Sequence, residues 1–389
     1  QYALRNKAEA LRCLARHEEA KKYCDAAIDQ APKYAEAFLT RGNIFADSGD
    51  LEKAIQAYTE AVENKDDYPE AEFNRSTQLL AKHDFSRGWE GYEKRFACKS
   101  LNSPIDAAIL KLSRQRIKKN DLVGLKVLLI EEQGIGDTIM FASMIHDLLA
   151  ITERVSVAVN HRLINLFRRS FNEVGIYPLE TLSADVISQY DVALFIGSLG
   201  YALRPTIQSF TGKPYLSVDK EQTKQWRDRL PISGRLIGLS WRGGTSKTQG
   251  RNRSRELKDF LRLFTPENHI VSLQHGNVDE EIRAFCQLYG VKIISFEAKE
   301  ISDIDHLASL ISALDAVVTV QNTNVHISGA LGKPCYALVP QAPEWRYGAD
   351  GETMPWYQSV RILRRHNHLN LEALISGIDQ DLKKETLAP

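Results

Sequence analysis

No apolar run in this chain approaches the ~20 residues of a membrane-spanning helix, and no signal-peptide pattern is present. Neither sign of charge is in excess: Lys plus Arg and Asp plus Glu number 50 each, which speaks against bulk binding to nucleic acid or anionic membranes. Cysteine is scarce and scattered. The five (Cys13, Cys24, Cys98, Cys286, Cys335) are odd in number and form no CxxC pair, so free thiols in a reducing cytoplasm are expected rather than zinc or a disulfide framework. A dinucleotide fingerprint is missing too, because GxGxxG would need glycine where Ile139 stands. The chain starts at Gln1 inside a helical pattern, as expected of a trimmed piece.

What is present begins with a repeat. Residues 1–98 resemble themselves at a 34-residue offset: Ala8 with Gly42; Leu11 with Phe45 and Leu79; Ala20 with Ala54 and Gly88; Cys24 with Tyr58 and Tyr92; Ala27 with Ala61. Small residues at such positions let paired helices cross closely, and large apolar ones fill the gaps between repeats. Turns are expected at His17-Glu18, Ser48-Gly49-Asp50 and His83-Asp84, with a register slip near Asp66-Asp67. The pattern resembles the tetratricopeptide repeat, with two full copies and a diverged third that Trp89 and the 92–96 segment lead out of. Such an array offers a groove for a peptide or helix, or serves as a capping spacer. It is expected to be removable without loss of binding elsewhere, because a polar, basic linker over 99–124 follows it.

From Leu125 onward short apolar strands alternate with helices, the signature of parallel, doubly wound sheets. Residues 125–218 form a first half: strand 126–130, helix 137–150, strand 155–159, helix 163–170, strand 191–196. Residues 219–389 form a second, with strands 236–240, 269–273, 291–295 and 317–320 and a last one ending at Val339. Its helices span 257–264, 279–288 and 304–314. The fold class is thus an α-helical array plus two Rossmann-like parallel-sheet halves facing a cleft, where such sheets place ligands. A tail helix, 371–383, is expected to cross back over the first half.

Three strand-to-helix turns carry the chemistry. In Val317–Pro340 a buried strand ends at Gln321-Asn322, and a helix opens at Thr323-Asn324-Val325-His326. Gly332 stops it, with Pro334 behind. A helix start at the carboxyl end of a strand offers unpaired N–H groups and a positive dipole end to an anion such as phosphate. After the first strand comes Glu131-Glu132-Gln133-Gly134-Ile135-Gly136-Asp137. The glycines permit close approach of a ligand, and Asp137 reads either as a helix cap or as a general base. The second half opens with Trp241-Arg242-Gly243-Gly244 and the acid-free loop TSKTQGRNRSR, whose Lys247, Arg251 and Arg253 suit a diphosphate or form a solvated loop. Gln274 and His275 end another strand and line the cleft; Asp303/Asp305 and His366/His368 read as surface residues. Trp345 and Trp356-Tyr357 fall in loop after the last strand, to stack on a base or cover the sheet edge.

Taken together, QGIGDTIMFA (133–142), Trp241–Ser254, NTNVHISGALGKP (322–334) and PEWRYGADGETMPWY (343–357) resemble a bacterial tetratricopeptide-repeat protein fused to a heptosyltransferase-like glycosyltransferase of GT-B fold. The resemblance implies a metal-independent, inverting transfer from a nucleotide-sugar donor, with no cofactor. Asp137 would be the base. Gly134, Gly136, Trp241, Lys247, Arg251, Arg253, Gln274, His275 and residues 321–326 (Gln321, Asn322, Thr323, Asn324, Val325, His326) would hold the donor. One departure stands out: Gln321-Asn322 replaces the usual Asp before the Thr-Ser pair. The expected acceptor is a protein Ser/Thr brought by the repeat groove. The alternatives are a lipid or polysaccharide acceptor, or a non-catalytic scaffold.

Overall fold

Small residues decide how the first ninety residues pack. The computed structural model describes residues 1–98, 109, 113, 116–152, 154–244, 253–364 and 371–385. Six helices come first: α1 (Tyr2–Cys13), α2 (His17–Gln30), α3 (Ala35–Ser48), α4 (Leu51–Glu63), α5 (Pro69–Ala81) and α6 (Phe85–Tyr92). Ala8, Ala20, Ala27, Ala54 and Ala61 are fully buried. A methyl at Gly42 would stand 2.4 Å from the Tyr58 ring, and one at Gly88 2.7 Å from Leu80. The 34-residue spacing therefore marks real helix crossings. Gly49 (φ 82°) and His83 (φ 63°) turn the chain as expected, and Asp50 and Asp84 cap the next helices. The first turn falls earlier than expected, because Ala15 (φ 57°) adopts the left-handed conformation without a glycine to announce it.

Contacts divide the chain into two units. Unit one joins Gln1–Val123 to Gly197–Phe210 and Gln341–Gly351. The two late segments complete its core. Trp89, 1 % exposed, packs edge-on against Trp345 and Tyr92, and its Nε1–H donates to the Arg204 carbonyl at 2.9 Å. A methyl at Gly200 would stand 2.7 Å from the indole, so only glycine lets this turn lie on it. Below the ring, Arg95 pairs with Glu93 (2.6 Å) and donates to Ser198 Oγ (2.8 Å), all buried. Trp345 is thus a core residue here, not a ring waiting for a base. The repeat unit thus takes in segments far along the chain, beyond the 1–98 span read from the sequence. Of 99–124, residues 99–108, 110–112 and 114–115 lie outside the described residues.

Unit two, Gly124–Ile196 with Thr211–Pro340 and Glu352–Pro389, holds both sheets. The first has the order β3-β2-β1-β4, with β1 (Val127–Ile130), β2 (Val155–Val159), β3 (Gly175–Pro178) and β4 (Val192–Phe195) all parallel. The expected helix over 137–150 is two, α7 (Ile135–Ala142) and α8 (Ile145–Leu149). The second sheet runs β10-β11-β9-β8-β5-β6-β7. Its strands are β5 (Arg235–Ser240), β6 (Asn268–Ser272), β7 (Ile293–Ile294), β8 (Ala316–Val320), β9 (Cys335–Val339), β10 (Thr353–Met354) and β11 (Tyr357–Arg364), and only the β10–β11 pair is antiparallel. Unit two thus holds two mostly parallel α/β sheets.

Three expectations need correction. Strand β3 was not read from the sequence, since glycine and proline end it on both sides and confine it to the sheet edge. Tyr357 begins β11 rather than lying in loop, and this strand extends the sheet beyond β9. The tail helix (Leu371–Glu385) buries Ile375, Ile378 and Leu382 among Ile237, Phe260 and Leu263, so it belongs to the second half and does not return to the first.

Candidate active site

The two glycine-bearing turns meet. Gly134 is the N-cap of α7, so Asp137 occupies the third helical position and is not the cap. The Asp137 carboxylate folds back, with Oδ2 3.4 Å from where a methyl on Gly134 would sit. Opposite lies α11 (Thr323–Leu331). A methyl on Gly136 would stand 3.0 Å from the His326 ring and 3.5 Å from Thr323 Oγ1, so the two helix starts approach closely where glycine stands. At the meeting point stand one half-buried carboxylate, one buried imidazole and the Thr323 hydroxyl.

Side-chain hydrogen bonds tie the α11 start to the neighbouring strands. Asn322 Oδ1 accepts from Asn324 N–H (2.9 Å), while its Nδ2 donates to Ser240 Oγ (2.8 Å) and to the Arg242 carbonyl (3.2 Å). Asn324 Nδ2 donates to the Leu273 carbonyl at 3.2 Å, and Val325 is fully buried. These side chains tie β5, β6 and β8 together at their carboxyl ends, so their amides are already engaged. The Asn322 cap also occupies one of the N–H groups that an anion would use. Gln274 plays a similar part. Its Oε1 accepts from Ser240 Oγ (3.2 Å), Trp241 N–H (3.0 Å) and Arg242 N–H (2.8 Å).

Gln321 differs. It is 2 % exposed, yet among the described residues neither its Nε2 nor its Oε1 has a hydrogen-bond partner. A buried unmade pair of this kind costs about 1–3 kcal/mol per group. Gly243 lies against its carbonyl, where a methyl would come within 2.3 Å.

The remaining expected residues divide. Trp241 is fully buried in the core with Leu239 and Phe260, and its Nε1–H donates to Glu281 (3.2 Å). Its ring is therefore structural, a correction to its expected place on the donor. His275 is exposed at the end of β6. Just after Arg253, Ser254 Oγ accepts from Gly243 N–H, and Arg255 N–H donates to the Trp241 carbonyl at the end of β5. Lys247 and Arg251 lie outside the described residues, as do His366 and His368. Asp305, expected at the surface, is buried. It holds Arg169 through two bonds of 2.6 and 2.9 Å, while Asp303 caps its helix, Ile304–Ala313. Among the described residues no cluster of His, Cys, Asp or Glu could hold a metal ion. Among them, too, no helix is long and apolar enough to cross a membrane.

Glu131 stands just before the glycines, and the sequence assigns it no role of its own. It is 6 % exposed, and burial pushes its pKa up to about 7, against the Asn160 N–H that it accepts. The folded state therefore binds this proton more tightly than the unfolded one. The contribution of this group to stability is full below the ordinary carboxylate range and is lost as pH rises through about 7. Glu131→Gln keeps an acceptor for Asn160 and removes the charge. Denaturant titrations should show the variant about 2–3 kcal/mol more stable above pH 7 and equal to wild type in acid. A variant that follows the wild-type pH profile would place the ionisation elsewhere.

In comparisons with known proteins, residues 35–68 match the tetratricopeptide repeat model. Protein FlbA of Caulobacter vibrioides is 30 % identical over 364 residues; they make up 87 % of this chain, which spans 60 % of that relative's length. Among solved structures, E. coli ADP-heptose LPS heptosyltransferase II is 16 % identical with a TM-score of 0.49, covering 67 % of this chain and 99 % of its own. An O-GlcNAc transferase of Thermobaculum terrenum is 13 % identical with a TM-score of 0.34, covering 98 % and 90 %.

Proposed function

We propose that this chain, tetratricopeptide repeats joined to two parallel α/β lobes, is a metal-independent, inverting glycosyltransferase that moves a sugar from a nucleotide-sugar donor to an acceptor. One observation carries the reading. The Gly134–Asp137 turn of one lobe lies against the Thr323–His326 helix start of the other, with glycine at the point of contact. A carboxylate thereby stands across a junction from a helix start, as an in-line displacement needs: a base on one side and stabilisation of leaving-group charge on the other. Asp137 takes the acceptor hydroxyl's proton. The α11 start and the Lys247–Arg253 loop take the diphosphate's charge, and Gln321 finds in the donor the partners it lacks in the protein. The acceptor is a protein hydroxyl recruited by the repeats, where a hollow of about 390 Å³ opens between α2, α3 and α4, lined by Lys21, Asp25, Arg41 and Lys53 among others.

Incubating the full chain with radiolabelled nucleotide sugars and separated protein and lipid fractions of a cell extract tests this. Label in protein is expected. Label in lipid moves the acceptor to the heptosyltransferase type, and donor left intact with both fractions rejects the enzyme. The leaving-group part has its own test. Calorimetry with nucleoside diphosphates should show Arg253→Ala and Lys247→Ala each weaker by on the order of 1.5–3 kcal/mol, the range for hydrogen bonds to charged groups. Unchanged affinity in both moves the phosphate site.

A further inference from the structure

Besides the meeting of Gly136 with Thr323 and His326, a second set of contacts joins the two α/β halves. It lies at the end of the helix Ile164–Ser170. The Arg169 guanidinium forks onto Asp305, Nη1 donating to Oδ1 at 2.6 Å and Nη2 to Oδ2 at 2.9 Å. Nη2 also stands 3.9 Å from the carboxylate of Asp219, the N-cap of the helix Lys220–Asp228. Arg162 Nη2–H donates to the Ser302 carbonyl at 2.6 Å, just before the helix Ile304–Ala313 begins. Two arginines of the first half thereby grip helix starts of the second.

A contact at one place lets two bodies pivot about it, and a second, directional contact stops the pivot. A planar guanidinium on a carboxylate supplies direction as well as distance. Asp305 is 6 % exposed, so salt screens the pair little. Both partners connect to the site. The helix Ile304–Ala313 packs along α11 and leads into β8, whose end opens α11. The helix Ile164–Ser170 follows β2, which pairs with β1, and β1 opens into the Gly134–Asp137 turn.

We infer that Arg169, held by Asp305, is a positioning residue that sets how the Gly134–Asp137 turn approaches the α11 start. Its effect on transfer rests on the glycosyltransferase reading; its effect on the approach does not.

Spin labels at the exposed Glu173 of the first half and Glu280 of the second, introduced as unnatural residues in the full chain, read that approach without any substrate. Wild type is expected to give one narrow distance distribution. Arg169→Gln and Asp305→Asn should each broaden it, and the double variant no further, because both remove the same fork. Arg169→Lys keeps the charge without the fork and should fall between, which retains a test if the other variants do not fold. Lys224→Gln, which breaks an ion pair within one helix, should match wild type. Distributions of the folded Arg169 and Asp305 variants that match wild type overturn the inference. With label transfer as a second readout, Arg169→Gln should lose up to about 10²-fold in kcat, the cost of a misplacement of about 1 Å, with the KM for donor little changed. Transfer at the wild-type rate despite a broadened distribution overturns the role in transfer. A broadened distribution in a chain that transfers no sugar rejects the glycosyltransferase reading and keeps the positioning role.

Discussion

Asp137→Asn should bind donor as wild type does and turn over about 10²–10⁴-fold more slowly, the usual worth of general-base help. The carboxylate sits at the third position of α7, half-buried and folded over Gly134, one residue after Gly136, which faces Thr323 and His326. Because Gly134 is the cap, the substitution removes no capping bond. It forfeits the attraction of an acid in the first helical turn, about 0.3–1 kcal/mol. The melting temperature should therefore move little while transfer collapses, and that separation distinguishes a base from a helix-stabilising acid. Calorimetry of donor binding and initial rates of label transfer on the same preparation provide both numbers. Full turnover in a folded Asp137→Asn protein reduces this residue to helix chemistry. Suspicion then moves to Glu131, whose pKa near 7 suits a base working at neutral pH, or to the exposed His275.

The largest stability effect is expected at Trp89→Ala, about 3–5 kcal/mol. The indole is 1 % exposed, is ringed by Tyr92 and Trp345, and satisfies the Arg204 carbonyl. Its loss leaves a cavity and an unmade buried hydrogen bond together. Removing residues 1–98 outright goes further. It uncovers Leu199, Trp345 and Tyr347, all buried, and strips Phe85 from Phe210. The truncated chain is expected to be insoluble or to bind hydrophobic dye. Urea midpoints for the point variant and gel filtration of the truncation check the two claims. A monomeric truncation with a sharp melting transition would show that the late segments need no repeats.

Much of this was legible in the chain because it is local and periodic. Alanine and glycine at 34-residue spacing had to mark helix crossings, since a larger side chain there collides, as Gly42 against Tyr58 shows. Apolar strands with glycine and capping residues at their ends announced two parallel sheets, and Gly332 stopped α11 as read (φ 73°). Which side chains at the turns are already engaged was not legible. Asn322, Asn324 and Gln274 looked like ligand groups because they follow strands, but their partners lie on other strands. Only the assembled sheet brings Ser240, Leu273 and the Arg242 backbone within reach. The same limit hid Glu131. Its carboxylate is raised by burial, a property of everything packed around it and of no residue beside it in sequence.

The sequence alone determined the class of each part: helical repeats, two parallel α/β lobes, and turns able to hold an anion beside a carboxylate. Those properties depend on spacing, on backbone freedom at glycine and on which residues cap a helix, all within a few positions. Tertiary structure decided the rest: that Gly136 faces Thr323 and His326, that Gly329 lies against the Tyr357 ring, and that Trp89 packs on Gly200 and Trp345. Each is a contact between segments far apart in the chain. Its energy exists only once folding has placed both partners, so it leaves no periodic mark to read.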